Sequence, residues 1–169
     1  GGSEDDRGYS VQQTTDGGYI ITGTISSFGN GESDVWLIKT NSQGNEVWNQ
    51  TFGGSEDDRG KSVQQTTDGG YIITGCKNWY TNETNVWLIK TNSQGDEEWN
   101  QTFSGSIGDE GNSVQQTTDG GYIITGSSGG DVSLIKTNLY GQEEWNQTFG
   151  GSGFDSGRSV QQTTDGGYI

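Results

Sequence analysis

Four short runs with alternating apolar and polar positions recur along the chain. In the first stretch they are SVQQTT (10–15), YIITGT (19–24), DVWLIKTN (34–41) and EVWNQTF (46–52). Runs of this length, rich in β-branched and aromatic residues and bounded by Gly and polar residues, are typical of β-strands. Helical periodicity is not found. The pattern therefore predicts an all-β chain with four strands in each stretch.

Turns containing glycine separate these strands. DGG at 16–18 joins the first two runs, and SQG at 42–44 joins the last two. Asp-Gly between extended runs predicts a hairpin, because Gly accepts the positive φ that a tight turn needs. The turn accounts for the recurring aspartate, which is given no catalytic role. Its copies are Asp16, Asp68, Asp119 and Asp165.

The third strand is apolar on both of its faces. Val35 and Leu37 lie on one face, and Trp36 and Ile38 on the other. A sheet with such strands must be covered on both sides. We therefore expect each sheet to lie between copies of itself.

The sequence SVQQTTDGGYI occurs four times, and the spacings between successive copies are 52, 51 and 46 residues. A period in this range is typical of β-propellers and related repeat arrays. We predict an all-β β-propeller of four-stranded antiparallel blades, each of 46–52 residues, with a long solenoid of the same sheets as the alternative. The predicted units are blade 1 (1–52), blade 2 (53–103), blade 3 (104–149) and a partial blade 4 (150–169).

Length varies at one place in the repeat. The loop between the second and third strands covers 24–33, 76–84 and 127–130, whereas the linker between blades keeps its length. In a propeller this loop and the linker emerge on the same face, and binding residues are often carried on loops over a rigid scaffold. One interpretation is a recognition face, and the other is neutral drift in an exposed loop. The candidate ligand-binding residues are Phe28, Asn30, Trp79 and Tyr80.

Composition narrows the possible functions. The formal charge of −15 disfavours nucleic-acid and membrane-surface binding and suits an extracellular or cell-surface chain. The sequence has no His, which excludes His-based catalysis and His metal sites. Cys76, the single cysteine, cannot form an internal disulfide and is interpreted as a small packed residue. Because initiator Met and signal peptide are lacking, we expect a mature or excised segment.

Acidic linkers precede the first strands. GGSEDDRG occurs at 1–8 and 53–60, and Ca²⁺ takes several oxygen ligands in flexible geometry. The linkers are interpreted either as solvated acidic turns or as a calcium site. We expect no other metal or cofactor. The calcium candidates are Asp5, Asp6, Asp57 and Asp58.

Four N-glycosylation sequons occur in the chain. Three are NQT copies on the fourth strand, and one is NET in a variable loop. They predict a secreted glycoprotein. The alternative is a chance sequon that was copied with the repeat. The acceptor candidates are Asn49, Asn82, Asn100 and Asn146.

The segment IKTNSQGNEVW (38–48) and its later copies resemble the tryptophan-docking stretch of quinoprotein propeller blades. DGGYIITG followed by DVWLIKTN also resembles a kelch blade, and the whole pattern is similar to tandem repeats of large secreted or surface proteins of archaea and bacteria. The resemblance implies that the fourth-strand tryptophans pack onto the next blade, and it matches no quinoprotein cofactor or metal position. The predicted blade-packing residues are Trp36, Trp48, Trp87, Trp99 and Trp145.

The function hypotheses follow from these features. The first is a non-catalytic extracellular repeat segment that mediates adhesion by binding a glycan or surface protein through its variable loops. The alternative is a structural protein whose copies assemble into a surface layer, sheath or filament. A further alternative is a quinoprotein-like oxidoreductase. No pair of carboxylates or phosphate-binding loop favours an enzyme.

Overall fold

A computed structural model describes residues 2–27, 32–105 and 107–169. The described part of the chain is all-β, with no helix. It therefore also lacks any helix long and apolar enough to cross a membrane. The strands are β1 (Arg7–Gln13), β2 (Tyr19–Ile25), β3 (Asp34–Thr40), β4 (Glu46–Phe52), β5 (Asp57–Gln65), β6 (Tyr71–Trp79), β7 (Asn85–Thr91), β8 (Glu97–Phe103), β9 (Glu110–Gln116), β10 (Tyr122–Ser128), β11 (Asp131–Thr137) and β12 (Glu143–Phe149).

The strands form three antiparallel four-stranded sheets, each in chain order: β1 to β4, β5 to β8 and β9 to β12. The prediction of four strands per repeat is confirmed. The predicted bounds of the loops 24–33, 76–84 and 127–130 are wrong, because the strands before them run on to Ile25, Trp79 and Ser128. Polar residues continue these strands, since the ladder is held by backbone hydrogen bonds whatever the side chain.

We call the end of each sheet that carries the two hairpin turns the turn end: DGG in every sheet, with SQG in the first two sheets and LYG in the third. In the first repeat the turn is held by Asp16, whose Oδ1 accepts hydrogen bonds from the Thr14 hydroxyl at 2.6 Å and Gly18 N–H at 2.9 Å. Gly17 has a φ of +83°, which only Gly adopts freely. Asp16 Oδ2 also lies 2.9 Å from Lys39 Nζ. The aspartate thus joins the first hairpin to the third strand.

Each sheet buries one lysine at the turn end. Lys90 is 3% exposed, and its Nζ lies 2.9 Å from Asp68, 2.8 Å from Glu98 and 2.9 Å from the Thr91 carbonyl. Buried charges need such partners. Lys136 has the same set in the third sheet, whereas in the first sheet Val47 stands where the others have the glutamate.

These contacts lower the pKa of the turn aspartates. For Asp119 the hydroxyl of Thr117 and the nearby Lys136 stabilise the carboxylate, so its pKa falls to about 2. Burial opposes the effect at Asp68, but hydrogen bonds from Thr66 and Lys90 still lower that pKa to about 2.

Neighbouring sheets pack face to face through two apolar clusters. The first cluster joins the first and second sheets through buried residues such as Leu37 and Ile73. The second joins the second and third sheets through residues such as Leu88 and Ile124. The second sheet is thus covered on both sides, as its apolar third strand predicts.

The repeated SVQQTT motif carries hydrogen bonds between repeats. Gln12 Oε1 accepts from Gln65 N–H at 2.6 Å, and Gln65 Oε1 accepts from Thr15 N–H at 2.9 Å. Ser10 Oγ accepts from Val63 N–H at 3.4 Å. Because each side chain bonds the backbone of the neighbouring copy, the motif must recur in every copy. The glutamine bonds are repeated by Gln64 with Gln116 and by Gln115 with Gln162.

The fourth-strand tryptophans also cross between repeats. Trp48 meets Tyr71 of the second sheet edge to face, with ring centroids 5.8 Å apart. A Cβ on Gly95 would lie 2.7 Å from the Trp48 ring, so the indole rests against the next SQG turn. Trp99 with Tyr122 and Trp145 with Tyr168 repeat the ring contact.

The sequence predicts a first strand and part of a second strand of the partial blade in residues 150–169. Within this described segment there is one isolated bridge, between Gln162 and Tyr168, and no regular strand. The segment still packs on the third sheet, where Val160 is buried.

Candidate functional site at the loop end

We call the opposite end of the sheets, which carries the linkers and the connections between second and third strands, the loop end. Backbone hydrogen bonds join these two kinds of segment. Asp58 N–H donates to the Ser33 carbonyl at 2.7 Å, and Asp109 N–H donates to the Thr84 carbonyl at 3.1 Å. The segments that differ between repeats therefore lie together at one end.

Trp79 and Tyr80 form an aromatic pair at the loop end of the second sheet. Their ring centroids are 5.0 Å apart, and Tyr80 is 79% exposed. Exposed aromatic residues supply large contact areas at binding surfaces. Of the other loop candidates, Phe28 and Asn30 lie outside the described residues.

A strained but well-bonded turn displays this pair. Asn78 and Tyr80 have φ values of +58° and +65°, a region that costs roughly 1 kcal/mol or more for a residue with a side chain. Asn78 N–H donates to Asp58 at 2.9 Å, and the Asn78 carbonyl accepts from the hydroxyls of Thr81 at 2.8 Å and Thr84 at 3.0 Å. The turn is therefore fixed in a conformation that local propensity alone does not favour.

Two cations stand beside the aromatic pair. The Arg59 guanidinium carbon lies 4.4 Å from the Trp79 ring centroid and 5.2 Å from that of Tyr80, and Lys61 Nζ lies 5.2 Å from Trp79. The Trp79 indole N–H and then the Arg59 guanidinium, both close to the Tyr80 hydroxyl, lower the pKa of that hydroxyl. We call these four residues, Arg59, Lys61, Trp79 and Tyr80, the aromatic–cation cluster.

The two cations have different partners. Lys61 forms an ion pair with Glu110 and contacts Asn112 Oδ1 at 3.2 Å, so its charge is used in joining β5 to β9. Arg59 forms no ion pair with any described residue. The Arg59 guanidinium is thus the group of the cluster best suited to pair with a ligand. The predictions from sequence missed both cations, since Arg and Lys in a strand normally indicate only a solvated face.

Other repeats lack this combination. Arg59 corresponds to Arg7, Glu110 and Ser156, whereas Trp79 corresponds to Ser27 in the first repeat. The framework is copied, but the aromatic–cation cluster belongs to the second repeat.

The calcium candidates occupy two different environments. Asp58 is fully buried, and its carboxylate accepts from Gly54 N–H at 3.0 Å as well as from Asn78. Asp6 accepts equivalent bonds from Gly2 at 2.8 Å and Ser26 at 3.1 Å. These two carboxylates thus hold the linker to the following loop.

The other two candidates lie further out. Asp5 lies 3.7 Å from Arg7 in an exposed ion pair, and Asp57 accepts from the Ser33 hydroxyl. Across residues 2–27, 32–105 and 107–169, no group of three or more Cys, Asp or Glu is arranged to hold a metal ion.

Burial raises the pKa of two groups near this end. The pKa of Asp58 is raised by desolvation, which outweighs its backbone hydrogen bonds. Burial also raises the pKa of the Cys76 thiol to about 12, so this thiol stays protonated and unreactive at neutral pH.

All four sequon asparagines are exposed. Asn49 accepts from Trp36 Nε1–H at 3.3 Å and donates to Glu46 at 2.7 Å. In the second sheet Asn100 accepts from Trp87 Nε1–H at 3.2 Å. Asn146 lies at the same place on β12, and Asn82 lies in the turn after Tyr80. A glycan on any of them would extend into solvent.

Known proteins give no further guide to this site. The chain matches no protein-family model, and no curated protein sequence is significantly similar to it.

Proposed function

We propose that the three sheets are consecutive blades of a β-propeller. Contacts between the first strands support this: β1 touches β5, and β5 touches β9. The first strand of each sheet also packs across the second strand of the sheet before it. In this arrangement the first strands line an axis, the fourth strands form the rim, and the loop end is one face of the disc.

We further propose that the protein is a non-catalytic extracellular or cell-surface protein that binds a glycan or a protein ligand at the loop end. The observation that carries this proposal is the aromatic–cation cluster. It combines an aromatic pair whose tyrosine is exposed, a strained turn and an arginine without an ion-pair partner among the described residues. Strained backbone is retained where the surrounding structure fixes it, often at ligand sites. The exposed sequons support the extracellular location.

The test replaces the aromatic pair and measures binding. Trp79→Ala/Tyr80→Ala would be compared with wild type on a printed panel of neutral and acidic oligosaccharides and on immobilised extracellular proteins. We expect at least a tenfold loss of binding, because anchors of this kind dominate interfaces. Tyr140→Ala is the matched control, since Tyr140 is 63% exposed at the turn end.

The possible results of this binding test either support or overturn a ligand site at the loop end. Loss in the double variant with retention in Tyr140→Ala supports a ligand site at the loop end. Equal binding by all three proteins, or binding by none of them to either panel, would overturn the proposal.

A second candidate function, assembly with further copies of the same repeat, is favoured by the face of β1. Val11 is 64% exposed, whereas its equivalents Val63, Val114 and Val160 are 5%, 6% and 7% exposed. The preceding sheet covers those three, so the face around Val11 fits a sheet of the same kind. Trp36 lies on this same uncovered face.

Solution mass tests the second candidate. Light scattering after size exclusion should give a discrete oligomer or growing polymers, and Val11→Lys should reduce both to monomer because a charge would be buried at the interface. A wild-type monomer at every concentration would contradict assembly by this chain.

A further inference from the structure

A cavity between the second and third sheets lies where the preceding pair of sheets holds a tryptophan. Its volume is about 220 Å³, and it opens to solvent. Val86, Phe103 and Ile135 form its apolar walls, and Ser133 lies on its third-sheet side. It is separate from the aromatic–cation cluster.

The equivalent of Ser133 in the second sheet is Trp87, and this residue indicates what kind of group fits the cavity. Ser133 pairs with Gly126 and Thr148 in the same register in which Trp87 pairs with Gly75 and Thr102. Trp87 is 4% exposed and belongs to the apolar cluster between the first and second sheets. The cavity therefore occupies the place of an indole ring.

A second difference enlarges the cavity. Lys77 lies over Trp87, with Nζ 4.9 Å from the ring centroid. In the third sheet the corresponding residue is Ser128, which also lines the cavity. Two large side chains of one repeat are thus replaced by two serines in the next.

The hydrogen-bond acceptor for the indole is retained. Asn100 Oδ1 accepts from Trp87 Nε1–H at 3.2 Å, and Asn49 accepts from Trp36 in the same way. Asn146 stands at the same position and lines the cavity, held by its own bond to Glu143. Within the described chain no donor reaches Asn146 Oδ1.

We propose that this cavity binds a planar bicyclic aromatic ligand with one N–H donor, that is, an indole ring. The ring would lie between Phe103 and Ile135 and donate its N–H to Asn146 Oδ1. Cavities left by missing apolar side chains bind small aromatic molecules of matching shape, as when an engineered cavity of about 150 Å³ takes up benzene. The indole can belong to a free small molecule or to a tryptophan side chain of a peptide.

The first experiment titrates unglycosylated protein with indole by calorimetry. We expect one site, and we expect N-methylindole, which lacks the N–H, to bind about tenfold more weakly. N-acetyltryptophanamide distinguishes the sources: binding as tight as that of indole indicates a peptide side chain, and much weaker binding indicates a free small molecule.

Two substitutions place the site. Ser133→Trp restores the residue of the preceding sheet and should abolish indole binding, while Asn146→Ala should weaken it about tenfold and remove the preference over N-methylindole. If Ser133→Trp does not fold, Ser133→Leu fills part of the cavity and should also reduce binding. Trp87→Ser serves as the converse variant and should raise the number of sites from one to two.

The proposal is overturned if wild-type protein does not bind indole, or if folded Ser133→Trp or Ser133→Leu binds it as tightly as wild type. Equal affinity for indole and N-methylindole would overturn the role of Asn146. None of these outcomes depends on ligand binding by the aromatic–cation cluster.

Discussion

The two ends of the sheets differ in how closely the repeats resemble one another. At the turn end every complete repeat has a DGG turn, a second turn that ends in Gly (SQG in the first two repeats, LYG in the third) and a buried lysine paired with the turn aspartate. At the loop end the connections change in length, and the residues beside them change in charge and size. The hydrogen bonds that join linker to loop are nevertheless kept, through Asp58 and Asp109 for example.

The comparison indicates that the turn end contributes mainly to stability, whereas the loop end contains the residues that differ between repeats. At the turn end the groups that recur, such as Asp68 and Lys90, each hold a neighbouring strand, whereas an exposed residue such as Tyr140 differs between repeats. The loop end holds both proposed binding sites, the aromatic–cation cluster and the cavity beside Ser128. Binding residues on loops over a rigid scaffold are a common arrangement.

The largest contrast is expected for glycine substitutions. A Cβ on Gly70 at the turn end would lie 2.1 Å from the Thr91 carbonyl oxygen, whereas a Cβ on Gly54 at the loop end meets nothing within 4 Å. We expect Gly70→Ala to lower the free energy of unfolding by about 3 kcal/mol and Gly54→Ala by less than about 0.5 kcal/mol. Urea unfolding measures the change in stability of both variants. Equal changes would contradict the expected difference between the turn end and the loop end.

Lysine substitutions give the next largest effect. Lys90→Met keeps the packing of the stem but removes contacts to Asp68, Glu98 and the Thr91 carbonyl. Both carboxylates are about half exposed, so water screens part of the interaction, and we expect a loss of about 2 kcal/mol. Lys77→Met at the loop end loses one cation–π contact and should cost less than about 1 kcal/mol. If urea unfolding shows a larger loss of stability for Lys77→Met than for Lys90→Met, the expected order of the two ends is wrong.

Acid should act differently on the two ends. The pKa of Asp119 in the folded protein is about 2, below its ordinary value of 3.8. Its contribution to stability is therefore complete above about pH 4 and is lost as the pH falls towards 2. The pKa of Asp58 is raised instead, so its contribution increases as the pH falls through that raised value.

Urea unfolding at a series of acidic pH values tests these signs. Asp119→Asn should lose less stability than wild type between about pH 4 and pH 2, because the group responsible is gone. Asp58→Asn should lack the stability that wild type gains as the pH falls through the raised pKa of Asp58, above about pH 4, because that proton uptake is removed. If the free energy of unfolding of both variants changes with pH as that of wild type does, these two carboxylates do not determine the loss of stability in acid.

Much of the turn end could be predicted from the sequence, and less of the loop end. Alternation and the DGG turn predict the strands and hairpins because both signals are local. The burial of Lys90 could not be predicted, since a lysine in an alternating run normally indicates an exposed position. The positive φ of Tyr80 depends on hydrogen bonds from other segments. The cavity at Ser133 requires the register of two strands and the packing of two sheets.

The smallest expected effect concerns the positive φ of Tyr80, +65°. Tyr80→Gly removes this strain and a side chain that is 79% exposed, so we expect the free energy of unfolding to rise by about 0.5 kcal/mol. Gly69→Ala is the matched change at the turn end, where φ is +86°, and it should lower that free energy by about 1 kcal/mol.

Paired urea unfolding and ligand-binding measurements on Tyr80→Gly complete the comparison. Unchanged or raised stability together with lost binding to the oligosaccharide and protein panels would mean that the strained tyrosine is retained for its ligand, at a cost to the fold. A loss of more than about 1 kcal/mol would mean that its contacts with Trp79 and Arg59 outweigh the strain. In that case Tyr80 would stabilise the loop end in the way that the DGG turn stabilises the turn end.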